Sequence, residues 1–128
     1  LAQLIHLKSF TDIRGSLNVI QDQLPFAVKR VYYMYGVAPN TQRGGHKHKK
    51  SRQALICLGG SCTIYNHDGV SETHFVLDHP AKVLIVEPSD WHIMYDFSEN
   101  ATLLVLASSK YDVNDYIDTP YPNSSLPR

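Results

Sequence analysis

The chain of 128 residues contains no run approaching the roughly 18 consecutive apolar residues that a membrane-spanning helix needs. No signal-peptide pattern opens it. Lysine plus arginine total 12 and aspartate plus glutamate total 12, a formal net charge of zero, which argues against the basic surface of a nucleic-acid binder. An apolar content of 43% argues equally against intrinsic disorder. No internal repeat or low-complexity segment is present, and no segment holds a 3.6-residue apolar period over three turns. Cysteine is scarce: Cys57 and Cys62 flank a Gly59-Gly60 turn that sets them across a hairpin, near enough to bridge. Two reduced core thiols in a cytoplasmic protein are the expected state, with neither membrane nor nucleic acid as a partner.

What the chain has is punctuation. Glycines and prolines recur at intervals, and between them lie short segments rich in Val, Ile, Leu, Tyr and Thr, the pattern of many short strands. Strands are expected at 16–21, 28–37, 53–58, 62–66, 73–77, 82–86, 92–97 and 102–108. Turns are marked by Gly59-Gly60, Asn66-His67-Asp68-Gly69, Asp78-His79-Pro80, Pro88-Ser89-Asp90 and Ser98-Glu99-Asn100. Short antiparallel strands without helices point to an all-β domain, a sandwich or jelly roll whose interior can hold a small ligand. Residues 111–117 have room for one helical turn. The domain is expected to span 1–118, with an extended or mobile tail at 119–128 that carries three prolines and two serines.

The chemistry concentrates in Arg43-Gly44-Gly45-His46-Lys47-His48-Lys49-Lys50. Histidines two apart on a strand project to one face, and the apolar run from Gln53 to Leu58 follows directly. Such a pair facing the interior of an all-β domain is either a metal site or a proton-transfer site. A solvated basic loop built on Lys47, Lys49, Lys50 and Arg52 is the bland alternative. His6, His67, His74 and His79 fall in turns or near the terminus and are expected at the surface.

Gly45-His46-Lys47-His48, Gln53 and Gly60, followed by Pro88-Ser89-Asp90-Trp91-His92, resemble the two-part signature of the cupins, which implies a cupin-type jelly roll. Metal-binding cupins carry a glutamate where Gln53 stands. A neutral amide is a poorer donor than a carboxylate, so no metal is expected. Longer segments narrow the resemblance: Asp12-Ile13-Arg14-Gly15-Ser16-Leu17, Val28-Lys29-Arg30-Val31-Tyr32-Tyr33, 43–50, Leu58-Gly59-Gly60-Ser61-Cys62, 91–98, Leu106-Ala107-Ser108, Tyr111-Asp112 and Asp115-Tyr116-Ile117. Together they are similar to the nucleotide-sugar 3,4-ketoisomerases. That resemblance implies a small homodimer, free of metal and other cofactors, acting on a dTDP-linked 4-keto-6-deoxyhexose. Its 3-keto product leads to the 3-amino-3,6-dideoxy sugars of bacterial surface glycans and antibiotics.

The residues can be set against that chemistry. Moving a carbonyl from C4 to C3 requires a base for the acidic C3 proton, and histidine, with an unperturbed pKa of about 6.5, suits both its removal and its return. His48 matches the family's base and His46 its neighbour. Tyr33 is the expected hydrogen-bond donor to the developing oxyanion. Arg43 and Arg30 are candidates for the diphosphate, because a guanidinium grips phosphate oxygens in pairs. Strand alternation lets one parity among Tyr32, Tyr33 and Tyr35 face the cavity, and Tyr33 with Tyr35 is the expected one. Trp91 is a candidate wall of the sugar pocket. Arg14 and His92 match the branch that forms the galacto product, with His92 as the expected proton donor at C4. The competing readings are a metal-dependent cupin using His46, His48, Gln53 and His92, a nucleotide-sugar epimerase, and a non-catalytic sugar-binding cupin.

Overall fold

A computed structural model describes residues 1–126. Twelve strands run in chain order: β1 (Gln3–His6), β2 (Ser9–Asp12), β3 (Gly15–Asn18), β4 (Arg30–Tyr35), β5 (Arg43–His48), β6 (Gln53–Gly59), β7 (Cys62–His67), β8 (Glu72–Leu77), β9 (Lys82–Val86), β10 (Trp91–Tyr95), β11 (Thr102–Ala107) and β12 (Tyr116–Ile117). They form two five-stranded sheets, ordered β1-β9-β6-β11-β4 and β12-β5-β10-β7-β8, with β2 and β3 as a separate hairpin. Every pairing is antiparallel. This is the cupin-type β-sandwich expected. A single 3₁₀ turn, Val113–Asp115, sits where one helical turn was anticipated. Among the described residues no helix is long and apolar enough to cross a membrane.

Alternation builds the interior. Leu55 and Cys57 on β6, Ile64 on β7, Leu84 on β9, Met94 on β10 and Leu103 and Val105 on β11 pack between the sheets. Truncating Leu55 or Leu103 to alanine would cost about 2–5 kcal/mol. The interior grades from apolar near Cys57, Cys62 and Leu77 to polar at the other end, where Gln53, Asn66, His48 and His92 are also buried. Both thiols are free, and Cys57 Sγ donates to the Gly59 carbonyl at 3.1 Å.

Both outer faces are partly covered. On the first sheet, Ala54, Ile56, Val83, Ile85 and Leu106 lie beneath Ile20, Leu24 and Phe26. On the second, Tyr65, Trp91 and Ile93 lie beneath Tyr121 and Leu126. The tail is therefore docked over 119–126: Trp91 Nε1 donates to Asp118 O at 3.1 Å, and Tyr121 Oη donates to Ser89 O at 2.7 Å. It is free of strand or helix, as the prolines required. The rest of the expected tail, residues 127 and 128, lies outside the described residues.

Two glycines are structurally required. Gly60, with φ +67°, closes the β6–β7 turn where a Cβ would meet Ser98 Oγ at 2.3 Å. Gly44, with φ +85°, lets β5 pass the His92 carbonyl, which a Cβ would approach to 3.1 Å. A register shift on β10 between His92 and Ile93 lies at this close approach, and it leaves His92 opposite His46.

Candidate active site

Strands β5, β10 and β12 converge at the polar end. His46 pairs with His92 across β5–β10, and Tyr116 pairs with His48 across β12–β5. Ring centroids are 5.2 Å apart for His46 and His48, 5.2 Å for His46 and His92, and 6.2 Å for His48 and His92. Tyr116 lies 4.8 Å from His46 and 4.7 Å from His48. The expected grouping of these three histidines is thus present in space.

Each of two imidazoles has one nitrogen fixed and one free. His48 Nδ1 lies 2.9 Å from Asp115 Oδ2, inside the fold, while Lys50 N donates to Asp115 Oδ1 at 2.9 Å. A carboxylate partner requires the hydrogen on Nδ1, so Nε2 carries the lone pair. His92 Nδ1 likewise donates to the Asp90 carbonyl at 3.0 Å. That carbonyl is placed by the Asp90 side chain, which accepts from Asn66 Nδ2 and Glu87 N. The Nε2 atoms of His48 and His92 are buried without a protein partner, as is Gln53 Oε1.

Burial sets the protonation. It drives the His46 pKa down to about 4, with His48 adding to the effect. Burial, helped by His46, drives His92 to about 3. His48 is also lowered by burial, but the Asp115 carboxylate pulls back against that shift. Burial pushes the Asp115 carboxyl upward, yet the Lys50 N–H, His48 and the Ser51 N–H together hold it below the usual carboxylate range. All three imidazoles are neutral at neutral pH, and Asp115 is ionised.

Arg30 stacks over Tyr32 at 4.2 Å and Tyr111 at 5.1 Å, and its Nη1 donates to Tyr116 Oη at 3.1 Å. Gln53 Nε2 donates to Tyr32 Oη at 3.0 Å. Burial raises the Tyr32 pKa, while the charges of Arg30 and Arg43 oppose the rise. Arg43 is exposed at the start of β5.

Several expectations need correction. Tyr33 and Tyr35 do not face the histidines; they are 61% and 73% exposed and stack on each other outside the sheet. Met34 is buried and Tyr32 packs on the core, so alternation turns the other parity of β4 outward. Trp91 does not wall the cavity: His92 points inward, and its neighbour therefore points out under the tail. Arg14, whose role stays a proposal, sits at the β2–β3 turn, 87% exposed and paired with Asp12 at 2.6 Å. His67 is buried, its Nδ1 accepting from Gly69 N at 3.0 Å, because β7 extends into the expected turn. Reading by residue roles missed Asp115, Tyr116 and Tyr32, although all three lie within segments that carry the family resemblance.

One nitrogen from each of His46, His48 and His92 lies within 4.8 Å of the others, a set that could hold a divalent cation. The fourth donor of a mixed imidazole–carboxylate set is missing, since Gln53 offers only a neutral amide oxygen. The residues fit a three-imidazole site and not the carboxylate-bearing one.

Comparison with known proteins agrees with this geometry. The family model described as FdtA, WxcM-like, C-terminal, matches residues 2–122. A TDP-4-oxo-6-deoxy-α-D-glucose-3,4-oxoisomerase of Aneurinibacillus thermoaerophilus is 44% identical over 117 residues, spanning 90% of this chain and 84% of the relative. A variant of the 3,4-ketoisomerase QdtA of Thermoanaerobacterium thermosaccharolyticum, solved with TDP-4-keto-6-deoxyglucose, superposes with a TM-score of 0.90 at 41% identity, over 92% of this chain and 87% of that one. The TDP-quinovose 3,4-ketoisomerase WlaRB of Campylobacter jejuni gives a TM-score of 0.88 at 39% identity over 92% of both chains. With its histidine cluster and these matches along nearly its whole length, the chain belongs to the FdtA family of sugar-nucleotide 3,4-ketoisomerases.

Proposed function

We propose that this protein moves the keto group of dTDP-4-keto-6-deoxyglucose from C4 to C3. The observation that carries the reading is the His48 imidazole: buried, neutral, with Nδ1 held by Asp115 and Nε2 without a protein partner. That is the arrangement of a general base, oriented by a carboxylate that also stabilises the imidazolium once the proton arrives. His48 takes the C3 proton, with His46 packed edge-on beside it. Arg43 at the mouth binds the diphosphate. Arg30, already engaged by three tyrosines, serves the cavity wall instead. No step runs through a metal.

The product we propose is the galacto epimer, dTDP-3-keto-6-deoxygalactose, supported by Arg14 and His92 at the two positions where the family's branches differ. His92 is not the standing proton donor at C4, because burial keeps it neutral and its one N–H is given to Asp90. Its free Nε2 instead accepts a hydrogen bond from a substrate hydroxyl and so fixes the sugar's face. We also propose a cytoplasmic homodimer serving 3-amino-3,6-dideoxy sugar synthesis for surface polysaccharide. Exposed Phe10, Ile13 and Leu17 on the hairpin, with Val31, Tyr33 and Tyr35 on β4, support self-association. Within such a dimer Arg14 has a second copy's site to reach.

Incubation with dTDP-4-keto-6-deoxyglucose in deuterated water, followed by NMR, tests the reading. A 3-keto product with deuterium at C4 is expected, and the H4–H5 coupling of product formed in ordinary water reports the configuration there. Unchanged substrate, or epimerisation without keto migration, would overturn it.

A further inference from the structure

Keto migration needs more than a base for carbon. The hydrogen on O3 must leave and O4 must gain one, so a group is required that gives a proton to one oxygen and collects it from the other. Tyr33 is excluded by its outward direction. Tyr32 faces inward and its hydroxyl accepts from Gln53, but among the described residues its ring stacks with none of the three imidazoles.

Tyr116 is differently placed. Its pairing with His48 across β12–β5 sets its ring against both imidazoles of the His-x-His pair, at 4.7 and 4.8 Å. Arg30 Nη1 donates to its oxygen at 3.1 Å. A guanidinium has five N–H donors and no acceptor, so this contact fixes the polarity of the phenol. Tyr116 Oη accepts from Arg30, and its own hydrogen is left for something else. Among the described residues its hydroxyl has this one partner. Arg30 is itself held in place by Tyr32 and Tyr111.

We propose that Tyr116 is a catalytic residue, the proton carrier between O4 and O3 of the substrate. The assignment rests on the ketoisomerase reading and extends it. His48 Nε2 takes the C3 proton; the C3–H electron pair becomes the C3–C4 double bond, and the C4 carbonyl pair moves to O4, which takes the Tyr116 hydroxyl proton. In the second half the Tyr116 phenolate takes the proton from O3. The O3–H pair becomes the new C3 carbonyl, and the C3–C4 pair takes a proton at C4 from a histidine imidazolium. C3 is oxidised and C4 reduced by the same two electrons, so no external reductant enters. Tyr116 ends protonated, and the fixed charge of Arg30 sits against the phenolate oxygen while it exists.

Tyr116→Phe tests this in deuterated water, with two quantities read by NMR: 3-keto product formed, and deuterium washed into C3 of recovered substrate. Product formation should fall about 10²–10⁴-fold. Wash-in should fall less, because it needs only enolisation and return to C3, with O4 left as an enolate, whereas product formation needs both oxygen transfers. The ratio of wash-in to product therefore rises. Affinity for TDP in calorimetry should stay within about twofold, which establishes a folded site. Arg30→Gln, whose amide oxygen can capture the phenol hydrogen, should raise the ratio as well. Tyr116→Phe with product formation within about threefold of the unaltered enzyme overturns the assignment. So do product and wash-in falling in step, since a residue that only holds His48 in place slows both alike. An unaltered enzyme that neither exchanges nor isomerises overturns the ketoisomerase reading, and this assignment with it.

Discussion

Replacing Asp115 by asparagine changes one atom and should disable the base while leaving the fold intact. In the protein one carboxylate oxygen accepts Lys50 N–H at 2.9 Å and the other faces His48 Nδ1 at 2.9 Å. Asparagine can keep only one of these arrangements. If its oxygen retains the Lys50 N–H, its amide nitrogen faces His48, and the imidazole must turn its Nδ1 lone pair to meet it. The hydrogen then resides on Nε2, and the base is blocked at the atom that would take the C3 proton. If the amide flips, its N–H opposes the Lys50 N–H and leaves a buried donor unsatisfied, at about 1–3 kcal/mol. Loss of a general base corresponds to about 10²–10⁴ in rate, or about 3–5 kcal/mol of barrier. The expected result is a kcat down by that factor, TDP affinity nearly unchanged and a Tm only a few degrees lower. Asp115→Ala should be milder in kcat, because it removes the orienting partner without imposing the wrong tautomer. It should also move the acidic limb of kcat/KM to lower pH, since the carboxylate raises His48 against burial. A kcat of Asp115→Asn within about threefold of the original would refute this reasoning and leave Asp115 as an anchor for the Lys50 turn alone.

Exhaustive chelation should leave turnover unchanged, because the proposed mechanism uses imidazole and carboxylate groups only. Loss of activity restored by a divalent cation would assign the three-histidine set to metal instead. Acid should destabilise the fold from about pH 6.5 downward: unfolded histidines protonate there, whereas folded His46 and His92 resist down to about 4 and 3. The unfolded state thus binds more protons across that window and stability falls with pH, by about 1.4 kcal/mol per unit for each such group; a flat urea midpoint between pH 6.5 and 4 would contradict this. Arg43→Ala should weaken TDP binding at least tenfold by calorimetry while the thermal midpoint stays put. Equal affinity would return Arg43 to the solvent.

The sheets were legible because their signals are local. The 53–58 and 82–86 strands appear almost as read, since continuous apolar runs between glycine and proline turns leave little choice. The strands at Gln3–His6 and Ser9–Asp12 went unread; they are four residues each and mostly exposed, so no clear alternation marks them. The histidine cluster was legible from spacing and resemblance. Its partners were not, for two physical reasons. Asp115 reaches His48 from 67 residues away, and such a contact leaves no local trace. The parity of β4 turns on which neighbours pack inward, and with three tyrosines in a row of four the apolar pattern does not decide it. Met34 and its partner Leu103 on β11 do.

Trp91, the chain's single tryptophan, stands back to back with His92: one strand residue looks into the reaction chamber, and the next looks away, under the tail. Its indole N–H is given to Asp118, and its ring packs with Tyr65 and Leu126. The molecule therefore carries an optical gauge of its own, pointed away from the chemistry. Ultraviolet emission should register whether the C-terminal segment is seated, shifting to the red and quenching more readily once residues beyond Asp118 are removed. It should register sugar-nucleotide occupancy only through movement of β10 itself. A titration that leaves the emission still while calorimetry reports binding would mean that the chamber fills without disturbing the strand.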